Sequence, residues 1–263
     1  MPRLPTLFLS HGSPMHAVDA AGAGAAWRRI ADAIPKPRAI LMASAHWETE
    51  LPMLTGAAEL RTIHDFGGFP DELYRLRYDA PGSPELAQEA AALLREAGMS
   101  ASINGCRGID HGAWVPLRWM YPQRDVPVVQ VSVQPALGTA HHLELGRALA
   151  PLTERDVLVI GSGHVTHNLR DWFTSRGATA PLPYVNEFAG WLERQLAAHD
   201  EEALVAYRER APSAARAHPT EEHFLPIFVA LGAAGGSAEP KRIELPIEGA
   251  ALSMDAYTFA AAA

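Results

Sequence analysis

Three short segments of the chain deliver histidine at the end of an apolar run. "LFLSHGSP" supplies His11, "ILMASAHWE" supplies His46, and "VLVIGSGHVTHNL" supplies His164 and His167. Small neighbours, Ser10, Gly12, Ala45 and Gly163, let backbone and ligand come close together. Neutral imidazole is the commonest protein ligand for a divalent metal and titrates near neutrality, so gathered histidines can hold a cation, move protons, or do both. One such histidine alone reads as a polar group bonded to a loop carbonyl. Three exits of the same kind favour a shared centre. That centre needs a third donor, and "AHPTEEHFLP" offers His218, Glu221, Glu222 and His223. Thr220 reads as a helix N-cap with residues 221–223 in the first turn, and Pro226, lacking an N–H, makes that turn irregular by freeing the carbonyl of Glu222. His218 and His223 would lie about 140° apart on a regular helix, so a single ion takes one of them or a glutamate. Glu221 reads as an acid interacting with the helix dipole.

Two other stretches carry polar tips beside aromatic rings. "DHGAWVPLRWM" sets His111, preceded by Asp110, ahead of Trp114 and Trp119; a polar group over an aromatic wall suits an aromatic substrate, and Trp119 reads as core. "TIHDFGGFP" offers His64, Asp65 and Phe66 before a Gly-Gly turn, either as a loop beside a pocket or as a turn closed by an Asx-type bond. His16, His141, His142 and His199 read as solvated, and the single cysteine, Cys106, as a small core hydrophobe. "GSGH" lacks the Gly-Lys-Ser of a phosphate loop, and the G-x-S-x-G of a serine nucleophile elbow is absent.

The elements that must carry these residues read as strands at 5–9, 39–44, 73–78, 126–133 and 156–160. Helical patterns lie between them: a stripe of Trp27, Ile30 and Ile34, a helix capped by Ser83 with Pro84 first and Gly98 as its stop, and helices over 139–150, 184–198 and 201–210. This alternation predicts one α/β domain spanning residues 1–263, with a mostly parallel central sheet covered by helices. Ligands of such sheets bind beyond the carboxyl ends of the strands, which is where the histidines fall. The tail, "KRIELPIEGAALSMDAYTF", reads as two strands joined around Glu248 and Gly249 in a C-terminal antiparallel hairpin at the sheet edge, and 232–240 as a surface loop.

A net charge of -8, with 48% hydrophobic and 20% charged residues, describes a globular chain without the clustered Lys and Arg of a nucleic-acid surface, so the expected partner is a small molecule. One cysteine excludes an internal disulfide and a thiolate-rich metal site. The apolar stretch at the amino terminus is too short for a secretory signal and no run reaches the roughly 20 apolar residues of a membrane span, so a cytoplasmic protein is expected.

"SHGSPM", "SAHWE", "DHGAWVPL", "GSGHVTHNLRD" and "AHPTEEHFLP", in this order, resemble the class III extradiol ring-cleavage dioxygenases, in the subgroup related to DOPA 4,5-dioxygenase. The similarity runs over essentially the whole chain. It implies an enzyme that opens a catechol-type, DOPA-like ring with dioxygen to a muconic semialdehyde-type product, with Fe(II) for activity and Zn(II) as another metal it could carry. It further implies His11, His46 and His223 as metal ligands and His167 as the acid/base residue, with His164 beside them. Distant members use a carboxylate as third ligand, which keeps Glu222 as the alternative. The residue types agree with this chemistry: a catechol chelates through two oxygens and needs open cis positions, and an imidazole can take and return a proton. In that setting His111 would bond a substrate or dioxygen oxygen and Trp114 would face the ring. Two rivals remain, a zinc-dependent hydrolase with His167 or Glu222 as base, although no His-Glu-x-x-His is present, and a catalytically silent catechol- or metal-binding protein on the same fold.

Overall fold

The computed structural model describes residues 3–175 and 177–261. Ten strands occur among them: β1 (Thr6–Ser10), β2 (Ala39–Glu48), β3 (Met53–Thr55), β4 (Glu59–Leu60), β5 (Ala80–Pro81), β6 (Ser102–Asn104), β7 (Val128–Val133), β8 (Val157–Gly163), β9 (Ala238–Ile243) and β10 (Ala256–Ala261). Eight of them form one sheet in the order β6-β3-β7-β2-β8-β1-β10-β9, and β4 and β5 pair separately. The four strands β7, β2, β8 and β1 run parallel, whereas β10 pairs antiparallel with β1 and with β9.

Alternation along these strands sorts the core into two layers. Leu7, Leu9, Ile40, Met42, Leu158 and Ile160 pack with the helices Ala23–Asp32 and His111–Met120 on one face. Leu41, Ala43, Val129, Val131, Val157 and Val159 pack on the other with Pro84–Glu96, Gly138–Leu149 and Leu225–Ala234. Parallel strands covered on both faces must be apolar throughout, which is why these runs show no polar alternation. Ser83 caps its helix as expected, accepting from Leu86 N–H at 3.2 Å. Among the described residues no helix is long and apolar enough to cross a membrane.

Five local expectations need correction. Residues 73–78 are not a strand: Asp71–Arg75 is a helix entered from Pro70, with Asp71 and Glu72 in its first turn, and these start signals outweigh a short aliphatic pattern. Strand β2 continues past Ser44 to Glu48, so His46 lies on the strand itself. The loop expected at 232–240 shrinks to 235–237, because Gly232 and Ala234 belong to the helix Leu225–Ala234 and Pro240 to β9. A Cβ on Gly232 would lie 2.1 Å from the Leu143 carbonyl oxygen, so this glycine serves a close helix crossing. The helix expected over 201–210 is divided at Ala206 into Glu201–Val205 and Tyr207–Arg210. The C-terminal hairpin is present as β9 and β10, but its connection is long, and the bend at Glu248 and Gly249 is a second, tighter turn closed by a Glu248–Leu252 bridge.

His142, expected to be solvated, is fully buried, with Nδ1 2.6 Å from the Gly138 carbonyl and Nε2 accepting from Gln134 N–H at 2.9 Å. Burial is the main cause that brings its pKa down to about 4. A histidine held below its unfolded value of about 6.5 stabilises the fold fully above that pH and loses the contribution as the pH falls. At pH 5 the loss is about 2 kcal/mol for this one group. Urea unfolding of the wild type is therefore expected to lose more stability between pH 7.5 and pH 5 than unfolding of His142→Gln; identical pH slopes would contradict this.

Candidate functional site

Strand register brings the histidines together. Leu9 pairs with Ser162, and Ser162 pairs with Ser44 on its other side, so β1, β8 and β2 end at the same level. His11 follows directly, with its N–H donating to the Gly163 carbonyl at 3.1 Å. His46 lies two residues beyond Ser44 on β2. His223 comes from the turn 221–224 that precedes the helix Leu225–Ala234, and its carbonyl accepts from His164 N–H at 2.7 Å. A Cβ on Gly163 would meet that carbonyl oxygen at 2.0 Å, so only glycine admits the His223 turn against the strand end.

The side-chain donor atoms of His11, His46 and His223 all lie within 4.8 Å of one another, with the Nε2 atoms of His11 and His46 2.9 Å apart. Neighbours fix which nitrogen carries the proton. The Ser162 hydroxyl donates its single hydrogen to the Gly112 carbonyl at 2.5 Å, so at 2.9 Å it accepts from His11 Nδ1–H. Burial, followed by neighbouring His46, holds the His11 pKa well below its ordinary value. The ring is thus neutral and its Nε2 keeps a lone pair. Glu222 plays the same part for His223, its carboxylate receiving Nδ1–H at 2.9 Å while the Thr220 hydroxyl donates to the same oxygen at 3.0 Å. Burial lowers the His223 pKa strongly, and its buried Nε2 has no hydrogen-bond partner among the described residues. Unpartnered buried nitrogens of this kind need an explanation, and a cation supplies one.

His167 stacks on His223 with ring centroids 3.5 Å apart and planes at 11°. Burial brings its pKa down to about 4, which leaves it neutral near pH 7. His164 is oriented differently: its Nε2 accepts from Gly12 N–H at 3.1 Å, so that atom supports the loop after His11. On the other side of the triad, Asp65 receives both the backbone N–H and Nδ1–H of His111 at 2.9 Å and lies 3.5 Å from His46 Nδ1. Burial would raise the Asp65 pKa, but the bonds and charge of His111 and His46 outweigh it and bring it to about 2. The His111 helix is pinned by fully buried Asp110, which accepts from Ser44 Oγ at 2.7 Å, Gln130 Nε2 at 2.8 Å and Arg107 Nη2 at 3.1 Å.

These rings open into a cleft of about 550 Å³ whose walls include Phe66, Phe69, Trp172 and Phe173. His11, His46, His111, His164, His167 and His223 all line it. Trp114 does not. Its indole is wholly buried, donates to the Ile63 carbonyl at 3.0 Å and belongs to the core behind Phe66, so the aromatic wall is built by the Phe66–Phe69 loop instead. The stretch around His64 is therefore a loop beside the pocket.

Other expected placements also change. Thr220 caps no helix; its hydroxyl is spent on Glu222, and the regular helix begins only at Leu225 with Pro226 in its first turn, where a missing N–H costs nothing. Glu221 receives the Tyr207 hydroxyl at 3.0 Å and lies 3.4 Å from Arg208 Nε, a pairing unrelated to a helix dipole. His218 is buried away from the triad with Nε2 2.8 Å from the Val165 carbonyl. His16 is buried against Glu248, His141 is half-buried beside Gln134, and Cys106 is exposed, whereas His199 is exposed as expected. Sequence reasoning passed over Ser162, although a hydroxyl between two glycines at a buried strand end is a signal.

Comparison with known proteins agrees with this geometry. Residues 5–253 match the family model described as the catalytic LigB subunit of aromatic ring-opening dioxygenase. A Beta vulgaris protein named 4,5-DOPA dioxygenase extradiol is 43% identical over 259 residues, which cover 97% of this chain and 96% of that protein. An Escherichia coli K12 protein of the same name is 38% identical over 252 residues, covering 94% and 90% of the two chains. The crystal structure of an uncharacterized Escherichia coli K12 protein aligns with a TM-score of 0.82 at 33% identity, over 97% of this chain and 99% of the other. Motif order, sheet topology and these relatives converge: the chain belongs to the LigB family of class III extradiol dioxygenases, enzymes that open aromatic rings.

Proposed function

We propose that this extradiol dioxygenase cleaves a catechol-type, DOPA-like substrate with dioxygen, giving a muconic semialdehyde-type product, at one divalent metal held by His11, His46 and His223. The observation that carries the ligand assignment is the pair of fixed tautomers. Ser162 and Glu222 take the Nδ1–H of His11 and His223, which leaves a lone pair on each Nε2: that of His11 lies 2.9 Å from His46 Nε2, and that of His223 is buried with no hydrogen-bond partner among the described residues. Three neutral imidazoles suit Fe(II), which the activity calls for, and bind Zn(II) as well. When bound, Fe(II) supplies the Lewis acidity and the electron path that ring opening by dioxygen requires. Glu222 is read as the residue that orients His223 rather than as a ligand, because its carboxylate is already engaged by His223 Nδ1 and Thr220.

His167 acts as the acid/base residue. Kept neutral by burial, it can accept a proton from the second substrate hydroxyl and later return one to a leaving oxygen. His111, whose Nδ1–H is committed to Asp65, has Nε2 left for a substrate or dioxygen oxygen. His164 borders the substrate and braces the His11 loop through Gly12. Imidazoles together with the apolar side chains of Phe66 and Phe69 line the cleft, a combination that favours an aromatic diol. Protein reconstituted anaerobically with Fe(II) is expected to consume dioxygen when given a catechol and to form a yellow semialdehyde. Catechol binding without oxygen consumption would instead identify a silent binding protein, and ester or amide cleavage with Zn(II) alone a hydrolase.

A further inference from the structure

A second concavity, of about 430 Å³, lies outside the histidine cleft and shares no lining residue with it. Four guanidinium groups line it: Arg28 from the helix Ala23–Asp32, Arg77 from the loop after Asp71–Arg75, Arg118 near the end of His111–Met120, and Arg124 from the turn that follows. Trp119 and Tyr78 form part of its walls. Among the described residues none of the four arginines belongs to an ion pair. The carboxylates next to Tyr78 and Arg124 in sequence are engaged elsewhere. Asp79 accepts from the Thr62 N–H and hydroxyl, both at 2.8 Å, and Asp125 pairs with Lys36. In a chain of net charge -8, four cations gathered without a matching anion need a cause.

The groups are also held in place. Arg77 Nη1 donates to the Tyr74 and Leu76 carbonyls at 2.9 Å, and Arg118 Nε to the Ala17 carbonyl at 3.2 Å, so each guanidinium is fixed through one nitrogen and keeps the others for a ligand. Arg28 lies over the Trp119 ring, with Cζ 5.6 Å from its centroid, and Trp119 Nε1–H donates to the His16 carbonyl at 2.7 Å. Arg124 has a φ of 56°, a left-handed conformation unfavourable for a residue with a side chain, in a turn where its N–H donates to the Tyr121 carbonyl at 3.0 Å. The Tyr78 hydroxyl donates to the same carbonyl at 2.9 Å. Like charges brought together in a concavity repel one another, and an entering anion removes that cost. A guanidinium fork matches two oxygens of one phosphoryl group, and a phosphate monoester carries close to two charges where a carboxylate carries one. The volume suits a small molecule, and the net negative charge of the chain disfavours a nucleic-acid strand.

We infer that this pocket binds a small phosphate-bearing anion, a diphosphate or a phosphate monoester, through Arg28, Arg77, Arg118 and Arg124. The site stands apart from the function proposed above, since it takes no part in ring cleavage and is read by binding alone. Calorimetric titration tests it on the full chain, stripped of metal so that no cation holds phosphate at the histidine cleft, with inorganic pyrophosphate, glycerol phosphate and the dicarboxylate succinate as probes. One equivalent of a phosphate probe is expected to bind at least about tenfold more tightly than succinate, and less tightly as salt is raised. Tighter binding of pyrophosphate marks a diphosphate site, and tighter binding of glycerol phosphate a monoester site. The side chains of Arg28 and Arg124 make no hydrogen bond among the described residues, so their replacement removes charge without removing a structural contact of that kind. The double variant Arg28→Gln, Arg124→Gln is expected to weaken the preferred phosphate probe at least about tenfold. Arg29→Gln, which removes the neighbouring charge outside the pocket, is expected to leave binding unchanged. No binding by the wild type, succinate bound as tightly as either phosphate probe, or the same affinity in the double variant as in Arg29→Gln overturns the assignment. The wild-type comparison with succinate decides the matter even if the double variant does not fold.

Discussion

Replacement of His167 by phenylalanine is expected to leave one equivalent of metal bound and to lower kcat for ring opening by about 10²- to 10⁴-fold, the usual contribution of a positioned acid/base group. Phenylalanine is chosen because His167 stacks face to face on His223 at 3.5 Å. A ring of similar shape keeps that contact, whereas alanine would also release His223 and confound proton transfer with ligand placement. Metal content of the purified variant, measured beside its rate of oxygen consumption, reads the two roles separately. Metal loss equal to the loss of rate would move His167 from proton transfer to metal binding.

The second large effect belongs to the ligands. His11→Ala is expected to abolish stoichiometric metal binding, because it removes one of three neutral donors and leaves the Ser162 hydroxyl with no ring to orient. Glu222→Ala should weaken metal binding by only about 10- to 100-fold, as is usual when a ligand loses the group that orients it. Competition titration with a chelator of known affinity resolves the two outcomes. Loss of metal from Glu222→Ala as complete as that from His11→Ala would make the carboxylate a ligand and remove His223 from the set or reduce its share.

The parts legible in the sequence share a physical cause. Strands β1, β2 and β8 are buried on both faces, so they appear as uninterrupted apolar runs, and parallel register then places whatever follows them side by side. His11, His46 and His164 could be read together for that reason. His223 was one of several candidates in its window because the choice depends on the tautomer that Glu222 imposes, a side-chain bond with no sequence period. The role of Asp65 was hidden for a related reason. Its partner His111 lies 46 residues away, and only the folded loop joins them. Trp114 was misplaced because an aromatic residue one turn beyond a site histidine reads equally well as wall or as core. Its indole N–H found the Ile63 carbonyl, which settled it as core. Glu248 was legible only as a turn residue, since a glutamate beside a glycine in a hairpin gives no sign that it borders a cleft.

Three imidazoles from distant parts of the chain are expected to meet at a single cation. Anomalous diffraction from crystals loaded with Zn(II), collected on both sides of the zinc absorption edge, tests it most directly. One strong site is expected in the cleft, within coordination distance of Nε2 of His11, His46 and His223, with Glu222 bonded to His223 Nδ1. A zinc site built on Glu222 and His167 instead, or none among these rings, would contradict it.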